Sequence, residues 1–225
     1  MRVLVVDDDP ALVRTLARGL RAEGFAVDTA ADGVEGEWLA RESPYDVIVL
    51  DVMMPGRDGH EVCRHLRQDG ITTPILMLTA KNAPADEAGA LDTGADDFLP
   101  KPFSYLVLMA RLRALVRRGG SRSPAVLTAG DLALDPATHV VTRGDRAVEV
   151  TPRQFALLEL LMRRAGEVLS KRTIIESLWD FAYEGDPNIV EVYVRQLRLR
   201  IDHPFGRQAL QTVRGAGYRL DPEGG

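Results

Sequence analysis

Short apolar runs alternate with helix-like segments through the first 118 residues, and this alternation constrains the fold more than any other feature. It predicts an α/β fold with a doubly wound (flavodoxin-like) parallel five-stranded sheet. Ligands collect outside the carboxyl ends of the strands in such sheets, so a reaction centre is expected there. Four of these runs lead into Asp7 and Asp8, Asp51, Thr79, and Lys101 after Pro100.

The composition indicates a globular protein without a membrane span. The 225 residues are 45% apolar and 27% charged, which is typical of folded domains. No apolar run approaches the roughly 18 residues that a membrane span needs, and three early aspartates argue against a secretory signal. The single cysteine, Cys63, excludes an internal disulfide and is expected to pack in a helix. We therefore expect a cytoplasmic protein.

Helix signals follow the strand-like runs of the first half. Asp9 is the expected N-cap of a helix that begins at Pro10 and ends at Gly24. Further helices are predicted near 33–42, 59–69, 85–93 and 104–118. Polar and glycine-rich residues follow the last of them, which is typical of a linker. We therefore expect a first domain at 1–118, a flexible linker at 119–125 and a second domain at 126–222.

The second domain has the pattern of short strands, then three helices, then a hairpin. Strand candidates lie at 126–127, 132–134, 139–142 and 148–150. A capping-box pattern from Thr151 to Gln154, with proline at the first helical position, opens the first helix. Ser170 is the expected cap of the second helix, a third helix opens at 186–187, and 212–218 completes the hairpin. This order predicts an α+β winged helix-turn-helix domain.

The acidic side chains define the expected chemistry of the first domain. Like charges at close range raise one another's pKa, so Asp7, Asp8 and Asp51 are expected to need a cation to stay ionised together. A site of oxygen ligands with few protein donors suits Mg²⁺. A carboxylate beside such an ion can act as a nucleophile, while Lys101 and the Thr79 hydroxyl hold phosphoryl oxygens. These residues therefore favour phosphoryl transfer onto a protein carboxylate.

Longer motifs carry a specific resemblance that covers residues 1–118 and 126–221. The stretches VLVVDDD, VIVLDVMMPGRDG, ILMLTA and GADDFLPKPF resemble the receiver domain of two-component response regulators. The stretches LTAGDLALDPATHVV, VTPRQFALLELLM, VEVYVRQLRLRID and QTVRGAGY resemble the DNA-binding domain of the OmpR/PhoB family. The resemblance implies a transcription factor rather than an enzyme. Its implied partners are a sensor histidine kinase, double-stranded promoter DNA and RNA polymerase, and its active form is a homodimer.

The resemblance also assigns the phosphorylation site. It implies that Asp51 accepts the phosphoryl group, either from the kinase or from a small phosphodonor. Asp8 would bind Mg²⁺ directly and Asp7 mostly through water. The backbone carbonyl of Met53 would be a further ligand. The receiver domain would therefore catalyse only its own phosphoryl transfer and its slow dephosphorylation.

A conformational switch is implied as well. Thr79 and Phe98 match a pair in which the hydroxyl moves to the phosphate and the aromatic ring turns inward behind it. The bond from Lys101 to Pro102 matches a cis peptide that aims the lysine. Phosphorylation would repack the pair and shift a two-state receiver towards a dimer.

The implied dimer face departs in part from the family pattern. It is formed by the last two helices and the last strand of the receiver domain, and complementary charges hold it together. Asp96, Asp97 and Arg111 match its charge pattern. Glu87 stands where the family usually has arginine, and Val107 where it usually has glutamate, so one cross-subunit ion pair is missing. Because an exposed pair contributes only about 0–1 kcal/mol, we expect a weakened or rearranged dimer.

The third helix of the second domain has the pattern of a recognition helix. Its core stripe is formed by Val190, Val194, Leu197 and Ile201. The opposite face carries Asn188, Val192, Arg195, Gln196 and Leu199, flanked by Arg198 and Arg200. Such a face lies in the major groove, where arginine prefers guanine, glutamine prefers adenine and valine contacts thymine methyl groups. Residues 187–219 contain six arginines against two acidic residues, which is typical of a basic DNA-binding face.

Further DNA contacts follow from the resemblance. Arg214 in the hairpin matches a wing residue that enters the minor groove, where narrow A·T tracts attract arginine. Gln196 occupies a position where a base-reading arginine can occur, so no relative's target sequence can be transferred. Phosphate contacts, which position the protein without reading sequence, are expected from Trp179, Tyr193, Arg198, Thr212 and Tyr218. Two of these, Trp179 and Tyr218, could equally be core aromatics.

Two alternatives stay open at the level of sequence. A magnesium-dependent phosphatase also forms an aspartyl phosphate, but it typically has a second aspartate two residues after the nucleophile, where this chain has Met53. The other alternative is a DNA-binding protein whose receiver dimerises without phosphorylation, and Glu87 and Val107 favour it. Turnover of a phosphate ester tests the first alternative. The mass in solution, with and without beryllofluoride, tests the second.

Overall fold

The computed structural model describes residues 1–80, 93–119, 126–136, 138–180 and 185–225. The chain forms two compact units, with the principal division between residues 122 and 123. Each unit is considered by itself. The helix predicted at 85–93 lies outside the described residues except for its last position, as do linker residues 120–125. Within the described ranges, no helix is both long and apolar enough to cross a membrane.

The first unit contains the predicted parallel sheet. Its strand order is β2-β1-β3-β4-β5, and the strands are β1 Arg2–Val6, β2 Ala26–Ala30, β3 Val47–Asp51, β4 Ile75–Ala80 and β5 Asp97–Lys101. All residues of β1 and β3 are buried, as expected for parallel strands that helices cover on both faces. The flavodoxin-like fold predicted from the apolar runs is therefore confirmed.

Four described helices surround this sheet, namely α1 Pro10–Ala22, α2 Gly33–Glu42, α3 Gly59–Gln68 and α4 Tyr105–Gly119. Successive strand residues point to opposite faces of the sheet. One face packs against α2 and α3 in a core that includes Leu39, Val62 and Leu66. α4 packs against β3, β4 and β5.

Aspartate side chains fix the starts of three helices. Asp9 Oδ1 accepts a hydrogen bond from the backbone N–H of Ala11 at 2.8 Å, as predicted for an N-cap. Asp32 accepts from two N–H groups of the first turn of α2. Asp58 and Glu61 form a complete capping box at α3. Because each cap satisfies otherwise unpaired N–H groups within one turn, these boundaries are set locally.

The second unit begins with a four-stranded antiparallel sheet in the order β6-β7-β8-β9. Its strands are β6 Leu127–Ala129, β7 Leu132–Asp135, β8 Val140–Arg143 and β9 Arg146–Ala147. Three helices follow, α5 Pro152–Arg163, α6 Lys171–Leu178 and α7 Ile189–Ile201, and then a short 3-10 turn at His203–Phe205. The hairpin pairs β10 Leu210–Val213 with β11 Gly217–Leu220. The winged helix-turn-helix layout is confirmed.

Two local predictions for this unit are wrong. The strand predicted at 148–150 is absent from the sheet, whose last strand ends at Ala147. Val148 N still donates to Val141 O at 2.9 Å, but the chain then leaves the sheet to reach the cap of α5 at Thr151. The third helix begins at Ile189 rather than at 186–187, because the residues before it form a turn.

The core of the second unit joins its helices to its hairpin. The stripe predicted for α7 is confirmed, since Val190, Val194, Leu197 and Ile201 are all buried there. Gly217 has φ 147°, and a Cβ built on it would lie 2.0 Å from Leu169 O. Only glycine fits this position, where the hairpin hydrogen-bonds to the segment before α6. The hairpin is thereby fixed beside the helices.

Candidate functional site

The register of the sheet brings the predicted polar groups of the first unit to one edge. Asp51 lies opposite Leu78, so Thr79 is the next residue beyond that pair. Lys101 lies opposite Ala80 at the end of the neighbouring strand pair. The four strand ends that the sequence marks with polar groups therefore meet at the carboxyl edge, as parallel pairing requires.

Three carboxylates form a compact cluster at this edge. One oxygen each of Asp7, Asp8 and Asp51 lies within 4.8 Å of the other two. Asp7 and Asp51 are buried, with 1% and 4% of their surface exposed, whereas Asp8 is exposed. The cluster is therefore open to solvent on the side of Asp8. Three carboxylates with one open side fit a hard cation that keeps several of its waters, such as Mg²⁺.

The amine of Lys101 lies between two members of this cluster. Its Nζ is 2.7 Å from Asp7 Oδ2 and 2.9 Å from Asp51 Oδ1. Burial by itself lowers the pKa of this amine, but hydrogen bonds to both carboxylates outweigh burial and raise the pKa above its ordinary value. The contacts with both carboxylates therefore favour the protonated form of Lys101. Its bond to Pro102 is cis, as the resemblance implies.

The surroundings of the Asp51 carboxylate oppose its ionisation. Burial raises its pKa, and the charges of Asp7 and Asp8 raise it further, although the Lys101 amine opposes the shift. The Lys101 amine thus partly offsets the cost of burying the ionised carboxylate. A carboxylate in this position gains more from a neighbouring cation than an exposed one does.

The other predicted residues of this site lie around the cluster. Thr79 is buried, with 2% of its surface exposed. Phe98 is half-buried and packs on the core that α2 and α3 cover. Met53 lies two residues after Asp51, and its side chain is one of the most exposed apolar groups, with 67% of the residue surface accessible. Its apolar side chain adds nothing to the acidic cluster, so any contribution to cation binding comes from its backbone.

A buried carboxylate braces the loop that follows Asp51. Glu37, on α2, is 2% exposed, and its Oε2 accepts from the Arg57 guanidinium at 2.7 Å. Arg41 and His65 also contact Glu37, at 2.6 and 3.1 Å. Arg57 belongs to the 52–58 loop, so Glu37 fixes this loop beside the acidic cluster. No sequence motif signals this contact, because it joins residues 20 positions apart.

Residues predicted for a dimer face have partners within the chain. Arg111 Nη1 lies 2.7 Å from Asp97 Oδ1. Asp96 pairs with Arg67 at 2.8 Å and accepts from the backbone N–H of Ile75. Val107 is 43% exposed on α4. The remaining predicted member, Glu87, lies outside the described residues.

The exposed face of α7 contains the predicted base-reading residues. Its amphipathic character follows from the buried stripe, which turns the other side of the helix to solvent. Val192 and Leu199 are 47% and 51% exposed. The polar residues that are also exposed are Asn188, Glu191, Arg195, Gln196 and Arg200. The helix therefore presents apolar and polar groups together on one accessible face.

Hydrogen bonds connect α7 to the hairpin. Arg198 donates from Nε to Leu210 O and from Nη2 to Thr212 Oγ1, both at 2.8 Å. Two predicted phosphate contacts, Arg198 and Thr212, are thus bonded to each other. Arg214 is exposed at the start of the hairpin turn.

A buried ion pair holds the carboxyl end of α7. Arg143 of β8 donates to Ile201 O and lies 3.1 Å from Asp202 Oδ1. Asp202 in turn accepts from the backbone N–H groups of Ala209 and Leu210. The sequence motifs do not indicate Arg143 or Asp202, although both position the predicted DNA-binding elements.

The aromatic residues predicted to contact phosphate are partly built into the core. Tyr218 is 6% exposed and belongs to the core of the second unit. Trp179 and Tyr193 are half-buried and meet edge to face, with ring centroids 5.9 Å apart. The Arg153 guanidinium lies over the Trp179 ring, 5.3 Å from its centroid. Packing therefore accounts for much of the surface of these three residues.

Comparison with known protein families agrees with both units. The sequence profile of the response regulator receiver domain matches residues 3–113. That of the C-terminal domain of transcriptional regulatory proteins matches residues 145–220. The chain belongs to the OmpR/PhoB family of two-component response regulators. It is a transcriptional regulator in which a receiver domain precedes a DNA-binding domain, and the phosphatase alternative is not supported.

Two curated relatives cover almost the whole chain. The chain is 51% identical over 225 residues to the transcriptional regulatory protein TcrA of Mycobacterium tuberculosis, covering 100% of this chain and 89% of TcrA. It is 45% identical over 224 residues to the response regulator MprA of Mycolicibacterium vanbaalenii, covering 98% of this chain and 97% of MprA. Among solved structures, the receiver domain of Francisella response regulator 1452 is 36% identical, with a TM-score of 0.51, over 53% of this chain and 98% of its own.

Proposed function

We propose that phosphorylation of Asp51 by a sensor histidine kinase controls sequence-specific promoter binding by this protein. The observation that carries the proposal is the position of the Lys101 amine between Asp7 and Asp51 at the carboxyl edge of the sheet. We assign the receiver domain to 1–118, a flexible linker to 119–125 and the winged-helix domain to 126–222. The activity is confined to the cytoplasm, where promoter DNA is accessible.

The proposed reaction transfers a phosphoryl group to Asp51. A carboxylate oxygen of Asp51 forms a bond to phosphorus while the bond from phosphorus to the donor nitrogen of a phosphohistidine breaks. Lys101 stays protonated and donates to the phosphoryl oxygens, and the Thr79 hydroxyl donates to another. Asp7, Asp8 and Asp51, together with the backbone carbonyl of Met53, would hold Mg²⁺. When bound, this ion supplies charge neutralisation for the transferring group.

Burial of Asp51 makes the site responsive to modification. Burial raises the pKa of the unmodified carboxylate, and its phosphorylation places additional negative charge next to Lys101 and Thr79. We propose that Thr79 then moves towards the phosphate and that the Phe98 ring turns inward. This change favours a homodimer through the face that contains Asp96, Asp97, Val107 and Arg111, together with Glu87.

The proposed output is DNA binding by α7 and the hairpin. Two copies would place α7 in successive major grooves, on half-sites about one helical turn apart. Arg214 would enter the minor groove, and the bound protein would contact RNA polymerase. Base edges would be read by Asn188, Val192, Arg195, Gln196 and Arg200, and phosphates would be bound by Trp179, Tyr193, Arg198, Thr212 and Tyr218.

Radiolabelled acetyl phosphate with Mg²⁺ tests the assignment of the acceptor. The full-length protein is expected to take up label, and Asp51→Asn is expected to take up none. Asp9→Asn is the matched control, since it changes a neighbouring aspartate and asparagine is also a good N-cap. Label on Asp51→Asn equal to that on the unchanged protein would remove Asp51 from the proposed role.

A further inference from the structure

A hydrogen-bond chain begins at the capping box of α5. Gln154 is the third residue of this helix and is 5% exposed. Its Oε1 accepts from the backbone N–H of Thr151 at 2.9 Å. Because a backbone N–H can only donate, the oxygen end of the Gln154 amide is fixed, and its Nε2 faces the other way as a donor.

The same chain continues to the exposed face of α7. Gln154 Nε2 donates to Gln196 Oε1 at 3.0 Å. Because this partner is a donor, the Gln196 atom that meets it must be the oxygen. The orientation of the Gln196 amide is therefore set by the backbone N–H of Thr151, through Gln154. The Nε2 hydrogens of Gln196 have no partner among the described residues.

The surroundings of Gln196 make this orientation relevant to DNA. Gln196 is exposed on α7, one turn after Val192 and three residues before Leu199. Both of these apolar residues are about half exposed, at 47% and 51%, and neither has a polar group to offer. The amino group of Gln196 is therefore an oriented hydrogen-bond donor on a face that also carries the exposed side chains of Arg195 and Arg200.

We propose that Gln154 is a positioning residue that makes Gln196 a hydrogen-bond donor towards one base pair. This inference rests on the proposed DNA-binding role of α7. A donor selects bases that present acceptors in the major groove, which are guanine with O6 and N7, thymine with O4 and adenine with N7. It rejects cytosine, which presents only its N4 amino group. Adenine can be bound by both ends of the amide, because the Gln196 oxygen keeps a second lone pair for its amino group.

The contacted base pair can be located without knowledge of the natural target. Full-length protein, activated with beryllofluoride and Mg²⁺, is used to select duplexes from a randomised double-stranded DNA library. Affinities are then measured for the selected duplex and its single base-pair variants. Gln196→Ala is expected to lose discrimination at one position of each half-site. At that position the unchanged protein is expected to bind guanine or thymine about fivefold more tightly than cytosine.

Gln154→Glu is designed to invert the preference while the fold is kept. Glutamate retains the capping box and suits the amino end of a helix. It offers only acceptors, so Gln196 must turn its Nε2 towards residue 154 and its Oε1 towards DNA. We expect the preference at the same position to shift towards cytosine, whose N4 amino group faces the major groove and which the unchanged protein rejects.

Gln154→Met is the matched control. Methionine has a similar length and fills the buried position without a polar partner, so Gln196 is free to present either end. The preference at this position is expected to broaden until the four bases differ by less than about twofold. Thermal unfolding of each variant shows whether it is folded. A folded variant with a changed base preference at one position is therefore distinguished from a variant that is destabilised.

Three results would overturn the inference, and they are distinguishable. Failure of the unchanged protein to select any sequence would overturn the proposed function as well. Selection by the unchanged protein, with no position relaxed in Gln196→Ala, would overturn only the reading of a base by Gln196. An unchanged preference in Gln154→Glu, with Gln196→Ala relaxed, would overturn only the positioning role of Gln154.

Discussion

Arg143 and Asp202 form an ion pair that is almost completely withdrawn from solvent. Their side chains are 0% and 2% exposed, and Arg143 Nη1 lies 3.1 Å from Asp202 Oδ1. Arg143 also donates to Ile201 O at the end of α7 and to Gly224 O. The pair thus connects the first sheet of the winged-helix domain with the end of α7.

Removal of one partner should be costly. We expect Arg143→Leu to lower the free energy of unfolding by about 3–5 kcal/mol, because Asp202 is left as a buried, unpaired charge. Urea denaturation of the full-length protein, followed by a signal from the second domain, measures the change. Arg146→Leu is the control, since Arg146 is exposed on the neighbouring strand. Equal stability of Arg143→Leu and the unchanged protein would show that the pair contributes nothing.

Asp51→Asn should stabilise the metal-free receiver domain at neutral pH. The folded-state pKa of Asp51 is raised, mainly by burial. Between the ordinary and the raised pKa, the folded protein binds more protons than the unfolded chain, so stability falls as pH rises through this window. The Asp51→Asn variant has no carboxylate at this position, so its stability does not fall in this way. Denaturation in EDTA is expected to show that the free energies of unfolding of the two proteins converge at acid pH. An Asp145→Asn control is expected to leave the pH dependence of this free energy unchanged.

With Mg²⁺ present, the unchanged protein should be more stable than Asp51→Asn. An ion that binds only the folded state adds about 2.7 kcal/mol at about 100 times its dissociation constant. The gain is expected to be smaller in Asp51→Asn, which has one carboxylate fewer in the cluster. Thermal unfolding at increasing MgCl₂, with KCl at matched ionic strength as the control, measures both proteins. Equal gains in the two proteins would exclude Asp51 from the cation site.

Arg195 and Arg198 should differ in the quantity that their removal affects. Arg195→Ala is expected to weaken binding to a selected duplex by about 1–3 kcal/mol at unchanged stability, because its side chain is exposed. Arg198→Ala removes two hydrogen bonds to the hairpin, so stability should fall together with affinity. Parallel binding and unfolding measurements separate the two cases. Unchanged affinity and selectivity of Arg195→Ala would reject its role in base reading.

Glu37→Gln should slow the phosphorylation of Asp51, although Asp51 itself is unchanged. The change removes the charge that holds Arg57 in the loop after Asp51, and we expect a loss of about 1–3 kcal/mol in stability. Arg41→Ala is the matched control, because Arg41 contacts the same carboxylate from α2 rather than from the loop. The initial rate of acetyl phosphate labelling should fall only in the first variant. Equal labelling rates in Glu37→Gln and the unchanged protein would show that the contact between Glu37 and Arg57 does not position the loop.

Local signals account for what could be predicted from the sequence. The strand ends are marked by Asp7, Asp51 and Thr79 because a parallel sheet brings its carboxyl ends together whatever its detailed register. The caps at Asp9 and Thr151 depend on side chains within one turn of the helix. The fold class, the acidic cluster and the buried stripe of α7 all follow from patterns of this short range.

Long-range pairing accounts for what could not be predicted. Gln154 and Gln196 are 42 positions apart, and Arg143 and Asp202 are 59 apart. Their contacts depend on how whole helices pack, which periodicity does not specify. The strand prediction at 148–150 was wrong for a related reason. Their alternation suits a strand, but the cap of α5 at Thr151 ends the sheet before they can pair.

The hydrogen bonds from Arg198 to Leu210 and Thr212 join α7 directly to the hairpin. In the proposed complex with DNA, this connection resists any change in the distance between the major-groove contacts of α7 and the minor-groove contact of Arg214. One base pair inserted between these two contacts advances the duplex by about 3.4 Å and turns it by roughly a tenth of a revolution. We therefore expect each half-site to keep its internal spacing, whatever bases it contains.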